Sequence, residues 1–258
     1  MDSRVPRSDR PRVSRRRPTR PSDRREEPVP RSWSALRERI VACQRCPRLR
    51  VYCERVALEK KAAHRQDVYW GRPVPGFGDP AARILILGLA PAAHGANRTG
   101  RPFTGDGSGD FLMRALHATG LASIPTSRTA NDGLKLHDAY ITAAVKCAPP
   151  GNRPTPGEMA ACHPYLEAEV DALGQVRVIV ALGRIASDAY WRLTRRYGPR
   201  KGPRPPFGHG RCHRPDRPDQ PILVESYHPS RQNTNTRRLT AEMLEHVFRL
   251  AKRMKDGG

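Results

Sequence analysis

Apolar positions along the chain follow two rhythms. Four short runs, at residues 83–89 (RILILGL), 139–145 (AYITAAV), 176–182 (VRVIVAL) and 222–226 (ILVES), are rich in Ile, Leu and Val with little polar alternation. Such runs predict strands buried on both faces. The segments between them carry helical spacing and helix boundaries. Leu36, Ile40 and Val41 share one face of a short helix ending near Cys43. A second helix spans about 108–119, with Gly120 placed to end it. Thr155-Pro156-Gly157-Glu158 is a capping box with proline at the first helical position, opening a helix to about residue 173. Further helices are predicted at 184–197 and, capped by Thr240, up to 255. Residues 71–80 (GRPVPGFGDP) and 195–221 are Gly/Pro-rich and are predicted as loops.

This alternation predicts an α/β fold: a three-layer α/β/α sandwich around a central, mainly parallel, four-stranded sheet. Ligands of such sheets bind beyond the carboxyl ends of the strands. The loops that matter are therefore GLAPAAHGANRTGRPFTGDGSG after the first strand, KCAPPGNRPT after the second and YHPSRQNTNTRR after the fourth.

Charge narrows the choice of partner. The 258 residues carry 47 Lys and Arg against 25 Asp and Glu, a net +22. A surplus of this size points to a polyanion, with nucleic acid first and an anionic membrane surface second. Residues 1–31 contribute eleven arginines, five acids and little to bury, so they are expected to form a disordered basic arm; residues 32–258 keep +16 and form the folded domain. No apolar run approaches the ~18 residues of a bilayer span. No apolar stretch follows the basic N-terminus either, so the chain is expected to be soluble, cytoplasmic and in a reducing compartment. Six cysteines there are better read as ligands than as disulfides.

Cys43 and Cys46 form a C-x2-C pair; Cys147 follows the second strand and Cys162 lies in the next helix. Four converging thiolates suit zinc or an iron–sulfur cluster, and the spacing does not choose between them. Cys53 and Cys212 have no partner spacing. In the first loop, six glycines allow close approach of a ligand, Phe103 is placed to stack on a flat ring, and Asp106 stands where a plain N-cap would. His228 can donate into the cleft or be satisfied by backbone. Arg231, Gln232, Asn233, Asn235, Arg237 and Arg238 form a polar, basic ribbon suited to phosphates and base edges, or simply to water.

Together GLAPAAHGANRTGRPFTGD, YITAAVKCAPPGNRPTP, VALGRIA and SYHPSRQNTNTRRLT resemble the family 5 (B-type) iron–sulfur uracil-DNA glycosylases, over about residues 32–255. The resemblance implies an enzyme that flips uracil, or another deaminated base such as hypoxanthine, out of double-stranded DNA and hydrolyses its N-glycosidic bond to begin base excision repair, acting as a monomer and away from membranes. It implies a structural [4Fe-4S] cluster on Cys43, Cys46, Cys147 and Cys162. It further implies that Gly88, Ala90, Pro91, Asn97, Phe103 and Ala143 face the base and sugar. The loop of His228, with Ser230, Arg231, Gln232, Asn233 and Arg237, would enter the DNA groove.

Two departures from the family 4 branch follow from the same resemblance. Leu89 stands where that branch has a catalytic Glu, so Asp106 is the nearest carboxylate to activate water, with Asn152 to hold the water or base and His228 to meet the charge developing on the base. Ala143 stands where that branch has an Asn reading the edge of uracil, which implies a broader substrate range. A non-catalytic lesion-binding protein on the same fold, and a zinc-stabilised RNA-binding module, are the alternatives.

Overall fold

The computed structural model describes residues 33–200, 202–215 and 217–257, so the basic arm expected at 1–31 lies outside the described residues. In chain order the elements are α1 (Trp33–Val41), α2 (Pro47–Glu59), β1 (Phe77–Gly78), β2 (Ile84–Gly88), α3 (Ala96–Thr99), α4 (Gly107–Ala118), β3 (Ala139–Ala143), α5 (Pro156–Leu173), β4 (Val178–Leu182), α6 (Arg184–Leu193), β5 (Cys212–His213), β6 (Ile222–Ser226), α7 (Arg231–Asn235) and α8 (Ala241–Lys255).

All four predicted strands are present, and they pair in parallel in the order β3-β2-β4-β6. Ile84 lies opposite both Ala139 and Val178, and Val178 opposite Ile222, so the four carboxyl ends lie along one edge. The expected sheet of four strands is corrected to six. Two-residue strands pair antiparallel at the edges, β1 on β3 and β5 on β6. Both lie in segments predicted as loop, because two backbone pairings in a Gly/Pro-rich stretch leave no side-chain period to detect.

The side chains of β2 alternate between two cores. Ile84 and Ile86 pack with Leu112, Met113 and Leu116 of α4 and Val247 and Phe248 of α8. Leu85 and Leu87 pack with Leu166 and Val170 of α5 and Ala186 and Tyr190 of α6. This gives the three layers that runs buried on both faces require. The capping box of α5 forms in full: Glu158 N–H donates to Thr155 Oγ1, and Thr155 N–H donates to Glu158 Oε2 at 2.7 Å.

A smaller third core joins α1 and α2 to α5, with Leu36, Ile40, Leu49, Cys53, Val145 and Tyr165 at its centre. Arg48 clamps this unit down, donating from Nε and Nη2 to the two carboxylate oxygens of Glu158 at 2.7 Å each. Such a bidentate pair fixes orientation as well as distance. The helix α2 itself has no counterpart among the predicted elements.

Where β3 ends, a charge pair is fully enclosed. Lys146 Nζ donates to Glu169 Oε2 at 2.6 Å, to Thr142 Oγ1 at 2.5 Å and to Ala143 O at 2.9 Å. Thr142 Oγ1 donates to the same carboxylate oxygen at 2.6 Å, and Gly76 N–H donates to the other at 3.1 Å. Each ammonium hydrogen has an acceptor, which is the condition under which burying a pair is tolerable. Removing one partner strands the other charge. Lys146→Met is therefore expected to cost about 3–5 kcal/mol in urea unfolding, and the double variant Lys146→Met/Glu169→Leu markedly less.

Candidate active site

β3 and β4 flank β2 on opposite sides, so the order of strand addition reverses at β2, and a crevice opens beyond its carboxyl end. The cavity there encloses about 290 Å³, close to the lower end of small-ligand sites. Its walls come from the three loops singled out by the sequence, with Leu89, Ala90, Pro91, Phe103 and Asp106 after β2, Asn152 after β3, and His228 and Ser230 after β6, and from Ala143, the last residue of β3. The lining is mostly apolar, and the polar groups converge from separate loops.

Asp106 is held from two sides. It is the N-cap of α4, where its Oδ1 accepts from Gly109 N–H at 2.9 Å. Its other oxygen lies against Gly95: a Cβ built there would sit 2.0 Å from Asp106 Oδ2. Only glycine leaves room for the carboxylate in this position. The N-cap is thus formed through one oxygen, and the other is left against Gly95. Burial raises the pKa of this carboxyl above the ordinary Asp value, with the Gly109 and Ser108 amides pulling the other way. A carboxylate poised in this manner is a better proton acceptor than a surface one.

Phe103 closes one wall. It adopts φ +48°, in the left-handed region that costs a non-glycine residue about 1–3 kcal/mol. The ring packs onto Gly88 at the end of β2, where an added Cβ would approach it to 2.9 Å. Arg101 anchors the turn from below. It is 4% exposed and donates to Thr104 Oγ1 at 2.9 Å, Ser127 Oγ at 2.9 Å and Asp132 at 2.8 Å, with its guanidinium over the Phe77 ring. His228 faces Phe103 across the cavity, the ring centroids 5.9 Å apart. Desolvation depresses the His228 pKa to about 4, so the imidazole is neutral at pH 7 and offers an N–H without a charge.

This arrangement can be set beside known proteins. The family model described as the uracil DNA glycosylase superfamily matches residues 75–252. A type-5 uracil-DNA glycosylase of Thermus thermophilus is 54% identical over 220 residues, covering 85% of this chain and 97% of that protein. Type-5 uracil-DNA glycosylases of Mycobacterium tuberculosis (50% identical; 83% of this chain, 79% of theirs) and Pyrobaculum aerophilum (44%; 86% and 94%) are similar over comparable spans. The chain belongs to the type-5 uracil-DNA glycosylases.

Several residues expected to touch base or DNA in this type-5 family member have other positions. Asn97 is fully buried and off the cavity wall, its amide donating to Cys53 O at 3.3 Å; it ties α3 to α2 rather than facing a base, and is corrected accordingly. Gly88 serves as the floor under Phe103 rather than as a wall. The ribbon at 231–238 begins as a helical turn, α7, capped by Ser230 Oγ. Asn233 is turned back into the protein and donates from Nδ2 to His228 O at 2.8 Å, holding the histidine loop. Arg231, Gln232 and Arg237 are exposed, Arg231 lying against Gly107 at the start of α4 and Arg237 adopting φ +56°. Val74, Ala92, Ala96, Pro102 and Ser108 complete the cavity without having been singled out by the sequence. They are small or apolar residues in irregular segments or, for Ala96 and Ser108, at the first turns of α3 and α4, where no period marks them.

Cys43, Cys46, Cys147 and Cys162 meet in the third core. Burial first, then the neighbouring Cys147 and Cys43, pushes the Cys46 thiol up to about 11, and burial lifts Cys162 to about 12. Lys146 N–H donates to Cys162 Sγ at 3.2 Å. Among the described residues no three His, Cys, Asp or Glu groups close on one point as the ligands of a single ion would. Cys53, unassigned by its spacing, is buried among these four, and its thiol donates to Ala148 O.

The close fit of Gly95 to Asp106 can be tested directly. Gly95→Ala is expected to lower uracil release by about tenfold or more by displacing the carboxylate, while moving Tm only a few degrees; a tenfold rate loss is 1.36 kcal/mol of barrier. Arg101→Ala should instead lower stability, by about 3–5 kcal/mol, through the stranded Asp132.

Proposed function

We propose that this protein excises uracil, and other deaminated bases including hypoxanthine, from double-stranded DNA after flipping the nucleotide into the cavity at the end of β2. Membership of the type-5 uracil-DNA glycosylases supports the reaction class. The observation that carries the residue assignment is the convergence of a partly buried carboxylate, Asp106, and a neutral imidazole, His228, on one cavity roofed by Phe103.

In the proposed reaction the C1′–N1 bond breaks with its electrons leaving on the base. Water oxygen bonds to C1′, and the water proton passes to Asp106. The sugar gains positive charge as the bond lengthens, which the Asp106 carboxylate opposes, while the base oxygen gains negative charge and accepts from the His228 N–H. A neutral donor suits this role because it need not give up its proton. Asn152, at the exposed rim with φ +57°, is assigned to hold the water or the base. Ala143 offers no amide to the base edge, so the pocket accepts a range of lesions.

Flipping costs a few kcal/mol, less at a mismatch, so U·G pairs should be processed faster than U·A. The exposed Arg231, beside Gly107, and Arg237 supply phosphate contacts. No helix among the described residues is long and apolar enough to cross a membrane.

In the same reading Cys43, Cys46, Cys147 and Cys162 hold a [4Fe-4S] cluster. Two features of the site support it. The thiols are crowded and desolvated, so as bare thiols they are hard to ionise, and a bound cationic metal centre is what would draw off their protons. Beside them, the buried Arg50, paired with Glu54 through Nη2, has Nε and Nη1 without a hydrogen-bond partner among the described residues. The cluster would brace α1 and α2 against α5 and the end of β3.

The decisive assay is release of free base from U·G, U·A and hypoxanthine-containing duplexes by the full chain. Wild type is expected to release uracil, fastest from U·G, and His228→Ala to lose about 10²–10³-fold. The rate should be flat from pH 6.5 to 8 and fall on the acid side, as Asp106 protonates at a pKa raised above the ordinary carboxyl value. A break near 6.5 would contradict a neutral His228. Tight duplex binding without base release would overturn the catalytic reading.

A further inference from the structure

The residues around the four cysteines include one group without an assigned role. Arg50 lies on α2 one turn after Cys46, whose carbonyl accepts its backbone N–H at 3.0 Å, and one turn before Cys53. Its residue exposure is 5%, so the guanidinium is an interior charge. Nη2 is spoken for: it donates to Glu54 Oε1 at 2.9 Å and to Gly71 O at 3.0 Å. Nε and Nη1 are buried and have no partner among the described residues. Glu54, the carboxylate paired with Arg50 among those residues, is 56% exposed and sits on its solvent side.

Arg50 is one of the buried residues of α2, together with Leu49 and Cys53, which pack in the core that holds the cysteines. Cys53 and Cys147 lie within hydrogen-bond reach of each other, and the Arg50 side chain reaches the same Cys147. A buried cation with two idle donors is expensive unless an anion completes it. Neutral thiols do not supply that anion; four thiolates around an iron–sulfur core do, because the whole assembly carries net negative charge. N–H groups aimed at cluster sulfurs are also among the main determinants of cluster potential and retention.

We propose that Arg50 is the counter-cation of the cluster, donating from Nε and Nη1 to the sulfur of Cys147 and the cluster edge beside it. Arg50 is thus a positioning and tuning residue, with no contact to substrate. The inference rests on the cluster reading given above. It also gives Asn97 a place, since that side chain bonds Cys53 O, and Asn97 O accepts from the N–H of Gly71, whose carbonyl in turn accepts from Arg50. Through these contacts Arg50 connects the cysteine core to α3 and the loop carrying Asp106.

The test compares full-length wild type, Arg50→Gln and Arg50→Lys, purified anaerobically. The readouts are iron and sulfide content, cluster midpoint potential, and the rate of loss of visible absorbance under an iron chelator. Without the cation the more negative, reduced cluster is disfavoured. Arg50→Gln should bind the reduced form about tenfold more weakly relative to the oxidised one, a fall of ~59 mV for a one-electron couple. Its cluster should also be lost about tenfold faster. Arg50→Lys, which keeps the charge but not the planar fork, should show about a third of each effect. Should Arg50→Gln not fold, Arg50→Lys decides by the same readouts. Wild-type values of potential and loss rate in the folded variants overturn the role of Arg50 while leaving the cluster intact. Absence of iron from wild type overturns the cluster reading itself.

Discussion

A carboxylate at a helix N-cap is ordinarily well placed, with backbone amides to accept from and a favourable dipole. Asp106 is such a cap, but only one of its oxygens is used for it. The other is pressed against Gly95 at the wall of a small, largely apolar cavity, where burial works against its charge. The cap fixes the group's position while the cavity makes it basic. Much of the surrounding architecture serves this balance. The loop after β2 has to return tightly enough for Gly95 to meet Asp106, and Phe103 is held in a left-handed conformation over the end of the strand. Arg101 uses hydrogen bonds and an ion pair beneath the same turn to keep it there.

The other interior charges have comparable duties away from the cavity. Lys146 and Glu169 close the end of β3 directly behind Ala143, and the backbone N–H of the same Lys146 donates to Cys162. Arg48 and Glu158 lock α2 to the start of α5. Lys146 and Glu169 are thus kept inside with partners that define one geometry, while Arg48 reaches from the surface to Glu158. The cysteine core and the cavity are neighbours through β3, so a change in one is felt by the backbone of the other.

Much of this was legible from the order of residues. The four apolar runs became the four parallel strands, and Thr155 with Glu158 formed the capping box that the spacing promised. The three loops at the strand ends do build the cavity, with Asp106, Asn152, Phe103, Ala143 and His228 on its wall. The helix α2 was missed because its inward residues, Leu49, Cys53 and Val56, are diluted by charged and polar neighbours and include an arginine that faces inward. Asn97 and Asn233 look like recognition residues in a polar loop, yet each bonds a backbone carbonyl, Asn97 that of Cys53 on α2 and Asn233 that of His228 in its own loop. Pairs such as Lys146 with Glu169, or Arg101 with Asp132, join segments far apart in the chain, and no local pattern announces them.

The account depends most on Asp106 acting as the group that receives the water proton. Asparagine caps a helix as well as aspartate does, so Asp106→Asn should leave the fold and duplex binding unchanged and remove only the proton acceptor. Single-turnover release of uracil from a U·G duplex, with enzyme in saturating excess, is the direct measurement. The account predicts a rate lower by about 10²–10⁴ at unchanged affinity. A rate within about twofold of wild type, less than 0.5 kcal/mol of barrier, would contradict it.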